Sequence, residues 1–194
     1  MVDRNLNDGP VGVDNTADPF VALARASVEG FVATGESITL PDGLPEELLT
    51  PRAGVFVSLH ERGELRGCIG TIGPTQPNVA LEILRNGVLA CSEDPRFPPV
   101  AAEELDWLEY SVDVLDEPES IASESELDVR EYGVIVTKGW RRGLLLPNLD
   151  GIDTVAQQVS IAKRKAGIAD DEPDVQLERF RVVRHTAGGE PHRG

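Results

Sequence analysis

The sequence predicts an α+β fold, made mainly of antiparallel sheet with helices packed against it. Two segments have the alternation and central turn of a β-hairpin: Val55 to Ile72 and Gly133 to Leu146. The helical stretches stand apart from these hairpins instead of alternating with single strands. Because hairpins join antiparallel neighbours, this order favours α+β over a doubly wound parallel sheet. No glycine-rich phosphate-binding motif follows a strand, so the common nucleotide-binding motifs are absent.

Three helices are predicted from capping residues and apolar spacing. The first begins at Asp18, a good N-cap, has Pro19 at its first position and can end at Gly35. A second follows Pro77, and a third follows Asp153 as its cap. Their apolar faces comprise Phe20, Leu23, Ala24, Val28 and Phe31; Ala80, Ile83, Leu84, Val88 and Cys91; and Val155, Val159, Ala162 and Ala166.

The turn of the first hairpin sets its predicted register. A two-residue turn would force Arg62 to positive φ, which is costly without glycine, so we expect a three-residue turn with Gly63 left-handed. Leu59 then faces Leu65, and Val57 faces Gly67. One strand face carries Val55, Val57, Leu59, Leu65 and Ile69, while the other carries Phe56, Ser58, His60, Arg66 and Cys68.

The remaining chain organisation is simple. Further strands are predicted over Leu108 to Val114 and over Val175 to Val183. Residues 1–17 and 186–194 lack periodicity, so we expect a loose N-terminal arm and a loose C-terminal tail. One domain would then occupy residues 18–185.

Composition excludes several classes of function. The chain has 18 basic and 34 acidic residues and a net charge of −16, which disfavours nucleic-acid binding. No apolar run approaches 18 residues and no leader opens the chain, so no membrane association is expected. The two cysteines form no CxxC pair, which favours a reducing, cytoplasmic location. No cluster has metal-ligand spacing, and no cofactor can be named.

Cys68 is the main candidate for chemistry, within the stretch Leu65-Arg66-Gly67-Cys68-Ile69-Gly70. Arg66 shares its predicted face, and a neighbouring cation raises the thiolate fraction of a cysteine. Gly70 would leave room beside the sulfur, and Gly67 would let another element pack closely behind. The alternative is that Cys68 is a small buried apolar residue and that the glycines admit a helix.

Other candidates have equally plain structural alternatives. The stiff stretch Asp94-Pro95-Arg96-Phe97 could present Asp94 and Arg96 to a ligand, or could merely end a helix with an internal ion pair. No histidine lies near Cys68 in the predicted register, so a cysteine–histidine nucleophile pair is not supported. Cys91 lies on an apolar helix face and is expected in the core.

Several motifs in order resemble the AMMECR-one domain family, whose bacterial and archaeal members include AmmeMemoRadiSam system protein A. They are LRGCIGT after a GVFVSL strand, DPRFPPV, GLLLPN and a helix ending in KAGI. The resemblance implies a larger lobe, a smaller lobe and a cleft beside the LRGCIG strand. It also implies Memo-like and radical-SAM partners. By motif it marks Leu65 to Gly70, Asp94 to Phe97, Pro147 and Lys165. Asn148 stands where relatives tend to have glutamine.

Two functions follow as expectations. In the first, the protein is an enzyme or enzyme component that acts on a small polar or anionic ligand at Cys68. Cys68 would be a nucleophile or a thiol ligand, Arg66 and Arg96 would hold anionic groups, and Asp94 would orient Arg96 or act as a base. Gly67, Gly70, Asn148 and Lys165 complete this predicted site. In the second, the cleft belongs to a non-catalytic binding or adaptor protein, and the LRGCIG stretch could also be only a packing solution.

Overall fold

The computed structural model describes residues 18–188 and 191–193. The N-terminal arm expected at residues 1–17 lies outside the described residues. These described residues contain four α-helices: α1 (Pro19–Thr34), α2 (Glu46–Leu49), α3 (Val79–Ser92) and α4 (Val155–Lys165). The strands are β1 (Val55–Glu61), β2 (Glu64–Gly70), β3 (Leu108–Leu115), β4 (Glu119–Ile121), β5 (Gly133–Lys138), β6 (Arg141–Leu145), β7 (Gln176–Phe180), β8 (Val182–Thr186) and β9 (His192–Arg193). All the described strand pairs are antiparallel, which confirms the α+β class.

The larger lobe is a five-stranded sheet in the order β2-β1-β3-β8-β9, with α1 and α3 on one face. The predicted caps of α1 are confirmed: Asp18 accepts hydrogen bonds from the amides of Phe20 and Val21, and Gly35 is left-handed. The free carboxylate oxygen of Asp18 lies 2.7 Å from Nδ1 of His185, whose ring stacks on Phe20. His185 therefore fastens the start of α1 to β8.

The smaller lobe is a four-stranded sheet in the order β4-β7-β5-β6, and α4 packs on β5 and β6. Thr154, rather than the predicted Asp153, caps α4 through the amide of Gln157. Gly143 lets α4 approach β6, since a Cβ there would overlap the carbonyl of Ala162. A third apolar cluster joins the two sheets and comprises Leu115, Ile135, Leu144, Phe180 and Val182, with Phe56, Ile72 and Leu146 packed against it.

The first hairpin differs from its predicted register. Its turn has two residues, with both Arg62 and Gly63 at positive φ, and a bulge follows in β2. Leu59 consequently pairs with Gly67, not with Leu65. Leu65 pairs with His60 and is exposed, so its predicted place on the core face was wrong. Sequence reasoning overrated the cost of positive φ at Arg62, where the short turn matches the twist of the strands.

The C-terminal region also differs in detail. The strand predicted over Val175 to Val183 is two strands, β7 in the smaller sheet and β8 in the larger. Arg181 is the junction between them. The segment expected to be a loose tail contains ordered strand. Thr186 ends β8, and residues 192–193 form β9, which pairs with β8 at Val183 and Arg184. The chain thus passes from one lobe to the other at a single residue.

Candidate functional site

Two rows of side chains cross the face of the larger sheet that lies opposite α1 and α3. The first, which we call the hydroxyl row, runs through paired positions on β2, β1, β3 and β8: Cys68, Ser58, Ser111 and Thr186. The second, the arginine row, lies two residues along each strand: Gly70, Phe56, Asp113 and Arg184. Paired residues share a face, so both rows point to the side of the smaller lobe. Phe56 in the arginine row packs into the apolar cluster between the sheets.

Cys68 lies on the predicted face, away from the core residues Val57 and Leu59. Its half-buried side chain accepts a hydrogen bond of 3.2 Å from the hydroxyl of Ser58. Ile69 packs on the opposite, apolar side, as predicted. The alternation of this strand therefore directs a thiol out of the main core and towards the region between the lobes.

The two glycines of β2 have packing roles. A Cβ at Gly67 would overlap the backbone carbonyl of Ala90, so glycine allows α3 to approach the strand, as expected for an element behind it. A Cβ at Gly70 would overlap the ring of Phe56, its cross-strand partner. The room that we expected beside the sulfur at Gly70 is therefore filled by an aromatic ring.

Asp94 and Arg96 close the open edge of β2 at Cys68. The Asp94 carboxylate accepts the amide of Cys68 at 2.8 Å, and Nη2 of Arg96 donates to the Cys68 carbonyl at 3.2 Å. Nε and Nη2 of Arg96 also bind the two oxygens of Asp94 at 2.9 and 2.7 Å. These contacts occupy strand hydrogen-bonding groups that an edge would otherwise expose. They also fix a guanidinium beside the thiol.

The charge of Asp94 is held firmly. Its side chain is only 2% exposed, and the hydrogen bonds from Arg96 are the main cause that lowers its pKa to about 2. A carboxyl group with so low a pKa is a poor proton acceptor near neutral pH. Of the two roles expected for Asp94, the geometry favours orientation of Arg96 over general-base catalysis.

Arg66 does not serve as the cation of Cys68. Its guanidinium binds Glu104 through Nε and Nη2 at 2.6 and 3.0 Å, and Nη1 donates to the carbonyl of Pro98 at 3.0 Å. Hydrogen bonding to Glu104 raises the pKa of Arg66, while the cation that lowers the pKa of Cys68 is Arg96. The bulge at the start of β2 and the carboxylate of Glu104 could not be read from the spacing of Arg66 and Cys68.

Lys165, at the end of α4, brings a charge from the smaller lobe to Cys68. The Lys165 side chain is exposed at the surface. Protein atoms around its amine nevertheless displace water, and this loss of hydration is the main cause that lowers its pKa. A negative charge on Cys68 opposes the shift, whereas the charge on Arg96 adds to it, so both groups lie within electrostatic range. Asp94 and Arg96 are thus bound to the backbone of Cys68 and Lys165 lies within electrostatic range of its thiol, whereas Arg66, expected in the same pocket, is paired with Glu104.

Arg184 and Asp113 form a further pair that sequence reasoning missed. Nε and Nη2 of Arg184 bind the two Asp113 oxygens at 2.7 and 3.1 Å, and the Asp113 side chain is 2% exposed. Hydrogen bonding to Asp113 raises the pKa of Arg184, and the charges of Cys68 and Asp150 add to this. The sequence did indicate a polar face on β3, because Ser111 and Asp113 alternate with Val112 and Val114, but it did not indicate that Arg184 pairs with Asp113.

Burial dominates the acidity of both thiols. It raises the pKa of Cys68, although the Ser58 hydrogen bond and Arg96 oppose it, and Asp113 and Asp94 add to it. It also raises the pKa of Cys91, in the main core, to about 11. The thiolate activation expected from a neighbouring cation is therefore outweighed at Cys68, whose thiol is largely protonated near neutral pH.

The remaining predicted residue, Asn148, lies in a turn after β6. It has positive φ and an exposed side chain, and its backbone amide donates to the carbonyl of Val129. In the described part of the chain, none of its recorded hydrogen bonds reaches Cys68, Arg96 or Lys165. Its ligand-binding role stays a prediction.

Two other features bear on possible ligands. A groove of about 630 Å³ lies on the smaller sheet, away from Cys68, and is lined by residues that include Ser120, Thr137, Arg142 and Glu178. Arg142 is the only cation among the described residues that line this groove, and it is paired with Glu178. Residues 18–188 and 191–193 contain no group of three or more metal-ligating side chains, and no helix among them is long and apolar enough to cross a bilayer.

Comparisons with known proteins place these observations in a family. A sequence profile described as AMMECR1 matches residues 21–185, which is most of the chain. The chain belongs to the AMMECR1 family. A Thermotoga maritima protein is 52% identical over 86% of this chain and 97% of its own length. A Clostridium acetobutylicum protein is 53% identical over 87% of this chain, but this chain covers only 36% of that longer protein.

A solved structure supports the fold. The crystal structure of the uncharacterized protein PH0010 from Pyrococcus horikoshii has a TM-score of 0.79 and is 32% identical. The similarity covers 90% of this chain and 94% of that one. The family resemblance read from the LRGCIG and DPRF motifs is therefore confirmed. The function of the family is not named by these relatives.

Proposed function

We propose that this AMMECR1 protein is an enzyme, or a component of one, that acts on a small polar or anionic ligand at Cys68. The observation that carries the proposal is the anchoring of Arg96 on the backbone of the half-buried Cys68, with Lys165 within electrostatic range of the same thiol. Arg96 is paired with Asp94, so the net positive charge beside the thiol comes from Lys165, in a chain of net charge −16. This charge creates a local positive potential that attracts anions.

Lys165 supports this proposal because none of the residues that the structure describes is its counter-ion. The chain has three lysines, and two donate to carbonyls: Lys138 to Pro173 and Lys163 to Asp170. Lys165 has no hydrogen-bond or ion-pair partner among the residues that the structure describes. An anion bound beside Lys165 would favour its charged form, and would so offset the burial and the repulsion from Arg96 that lower its pKa.

Cys68 would act as nucleophile or thiol ligand once its proton is removed. Asp94 is committed to Arg96 and is too weak a base to take this proton, which passes to water. We assign Arg96 and Lys165 as the groups that bind the anionic part of the ligand. Transfer of the proton would leave a thiolate beside two cations, which stabilise it.

A non-catalytic adaptor is the second candidate, working with Memo-like and radical-SAM partners. The raised pKa of both thiols favours it, since a protonated thiol reacts slowly. The longer Clostridium acetobutylicum relative, in which a domain like this chain is joined to further sequence, also favours association with other domains. In this case the cations at Cys68 would receive an acidic loop of a partner.

Native mass spectrometry of the protein purified from its own organism tests the two candidates. The enzyme candidate predicts an additional mass from a small anionic ligand, which Arg96→Gln removes and the exposed control Glu103→Gln retains. Cys68→Ala should retain a non-covalent ligand but lose any covalent adduct. A bare chain in every sample, together with co-purified partner proteins that Arg96→Gln releases, would contradict the enzyme candidate and support the adaptor.

A further inference from the structure

The site contains two arginines that are anchored in the same way. Arg96 is bound through Nε and Nη2 by Asp94, and Arg184 is bound through Nε and Nη2 by Asp113. Each aspartate side chain is 2% exposed, whereas the arginines are 53% and 34% exposed. In the described part of the chain, Nη1 of each arginine has no hydrogen-bond partner. Each guanidinium is thus held rigidly with one donor group left over.

The two arginines lie at opposite sides of one sheet face. Arg96 is bound to the backbone of Cys68 on β2, and Arg184 belongs to β8, with β1 and β3 between them. Neighbouring strands are about 4.8 Å apart, so the axes of β2 and β8 lie about 14 Å apart. Long side chains that lean inwards shorten this span. A ligand with an anionic group at each end can engage both guanidinium groups across such a span.

Hydroxyl groups cover the distance between the arginines. The hydroxyl row continues from Cys68 through Ser58 and Ser111 to Thr186, which is two residues beyond Arg184. Ser58 is committed to the sulfur of Cys68, and the Ser111 hydroxyl has no partner within residues 18–188 or 191–193. Hydroxyls both donate and accept hydrogen bonds, so such a row suits the hydroxyl groups of a ligand.

We infer, on the basis of the function proposed above, that the ligand is a polyhydroxylated molecule with an anionic group at each end. One anion binds Arg96 and Lys165 beside Cys68, and the other binds Arg184. The hydroxylated part of the ligand lies along Ser111 and Thr186. The anionic groups can be carboxylates or phosphates, since an arginine fork binds both.

Calorimetric titration of the full chain with matched six-carbon probes tests this ligand class. The carboxylate probes are galactarate, its monoanionic counterpart galactonate, and adipate, which has the same two ends without hydroxyls. The phosphate probes are fructose 1,6-bisphosphate and fructose 6-phosphate. For the carboxylates or for the phosphates, the hydroxylated probe with two anionic groups should bind about tenfold tighter than its counterpart with one anionic group, because a second charged hydrogen bond is added. In the carboxylate arm, galactarate should also exceed adipate.

Variants connect this difference to Arg184. Changing Arg184→Gln together with Asp113→Asn avoids leaving a buried carboxylate unpaired. This double variant should bind the probe with two anionic groups no more tightly than its counterpart with one. Arg179→Gln, on the smaller sheet and paired with Glu119, is the matched control and should change nothing. Circular dichroism of each variant confirms that it is folded.

The outcomes separate this inference from the proposed function. One outcome is that probes with one anionic group bind and protect Cys68 from alkylation while the carboxylate and phosphate probes with two anionic groups bind no tighter. In that case the inference of a ligand with an anion at each end is wrong, and the anion site at Cys68 stands. If the double variant still prefers probes with two anionic groups, the assignment of the second anion to Arg184 is wrong. If none of the five probes binds, the inference is wrong, and the native mass spectrum decides the proposed function independently.

Discussion

Replacing Asp94 by asparagine should destabilise the fold by about 1–2 kcal/mol near neutral pH. The pKa of Asp94 is lowered from 3.8 to about 2, mainly by hydrogen bonds from Arg96. Each pKa unit corresponds to about 1.4 kcal/mol, which sets an upper figure of about 2.5 kcal/mol. Because the Arg96 side chain is 53% exposed, solvent screening reduces that figure. Asparagine keeps the size of the side chain, and its single oxygen can still accept the Cys68 amide, but its NH2 group then replaces the oxygen that accepted from the backbone amide and Nε of Arg96. The change therefore removes the charge and the hydrogen bonds that anchor Arg96.

The effect should depend on pH in a defined direction. A carboxylate whose pKa is lower in the folded than in the unfolded state stabilises the fold fully above about pH 4. This stabilisation is lost as the pH falls from about 4 to about 2, so the two proteins should then become equally stable. Urea unfolding followed by tryptophan fluorescence measures the free energy of unfolding at each pH.

The control and the contradicting results are as direct. Glu103→Gln removes an exposed carboxylate that has no partner among the described residues, and should leave stability unchanged. In a chain of this size, 1 kcal/mol shifts the melting temperature by about 2–4 °C, which thermal unfolding can resolve. Wild-type stability of Asp94→Asn at pH 7, or an undiminished difference at pH 2, would refute the argument that this carboxylate anchors Arg96.

Three further predictions concern the strand that carries Cys68. Gly67→Ala should cost about 1–3 kcal/mol in urea unfolding, because its Cβ would overlap the Ala90 carbonyl of α3; wild-type stability would show that the helix yields freely. Ser58→Ala should raise the pKa of Cys68 further, so that its alkylation rate rises at higher pH than in the wild type; an unshifted profile would show that the hydrogen bond is unimportant. Arg96→Leu should slow Cys68 alkylation near neutral pH more than Arg66→Leu, since Arg66 is paired with Glu104; the reverse order would restore Arg66 as the cation of Cys68.

Local patterns in the sequence were enough to predict the helices and the face of Cys68. Asp18, Pro19 and Gly35 define α1 by capping chemistry, which depends only on neighbouring residues. Alternation along β1 and β2 separated Val57 and Ser58 onto opposite faces, and this survived a wrong turn type because the register error was two residues. A motif resemblance supplied Lys165, whose partner groups are far away in sequence.

Contacts between distant segments could not be predicted in this way. Gly70 looked like empty space because the pairing with Phe56 depends on the true register of the hairpin. Arg66 looked like a partner of Cys68 because Glu104 is 38 residues away. Arg184 was hidden for a similar reason, since the strand that carries it was merged with β7 and assigned to no sheet. Each miss concerns which side chain satisfies a charge or fills a space across the fold.

The ratio of Cys68 alkylation by anionic iodoacetate to that by neutral iodoacetamide tests the central claim most directly. Both reagents attack the same thiolate, so the ratio cancels the pKa of Cys68 and reports the local electrostatic potential. Peptide mass spectrometry measures the ratio for Cys68 in the wild type and in Arg96→Gln, Lys165→Gln and the control Arg179→Gln. If Arg96 and Lys165 form an anion site at Cys68, the wild-type ratio should exceed that of the denatured chain, and should fall in the first two variants only. A wild-type ratio at or below that of the denatured chain, or one that neither substitution lowers, would contradict the account.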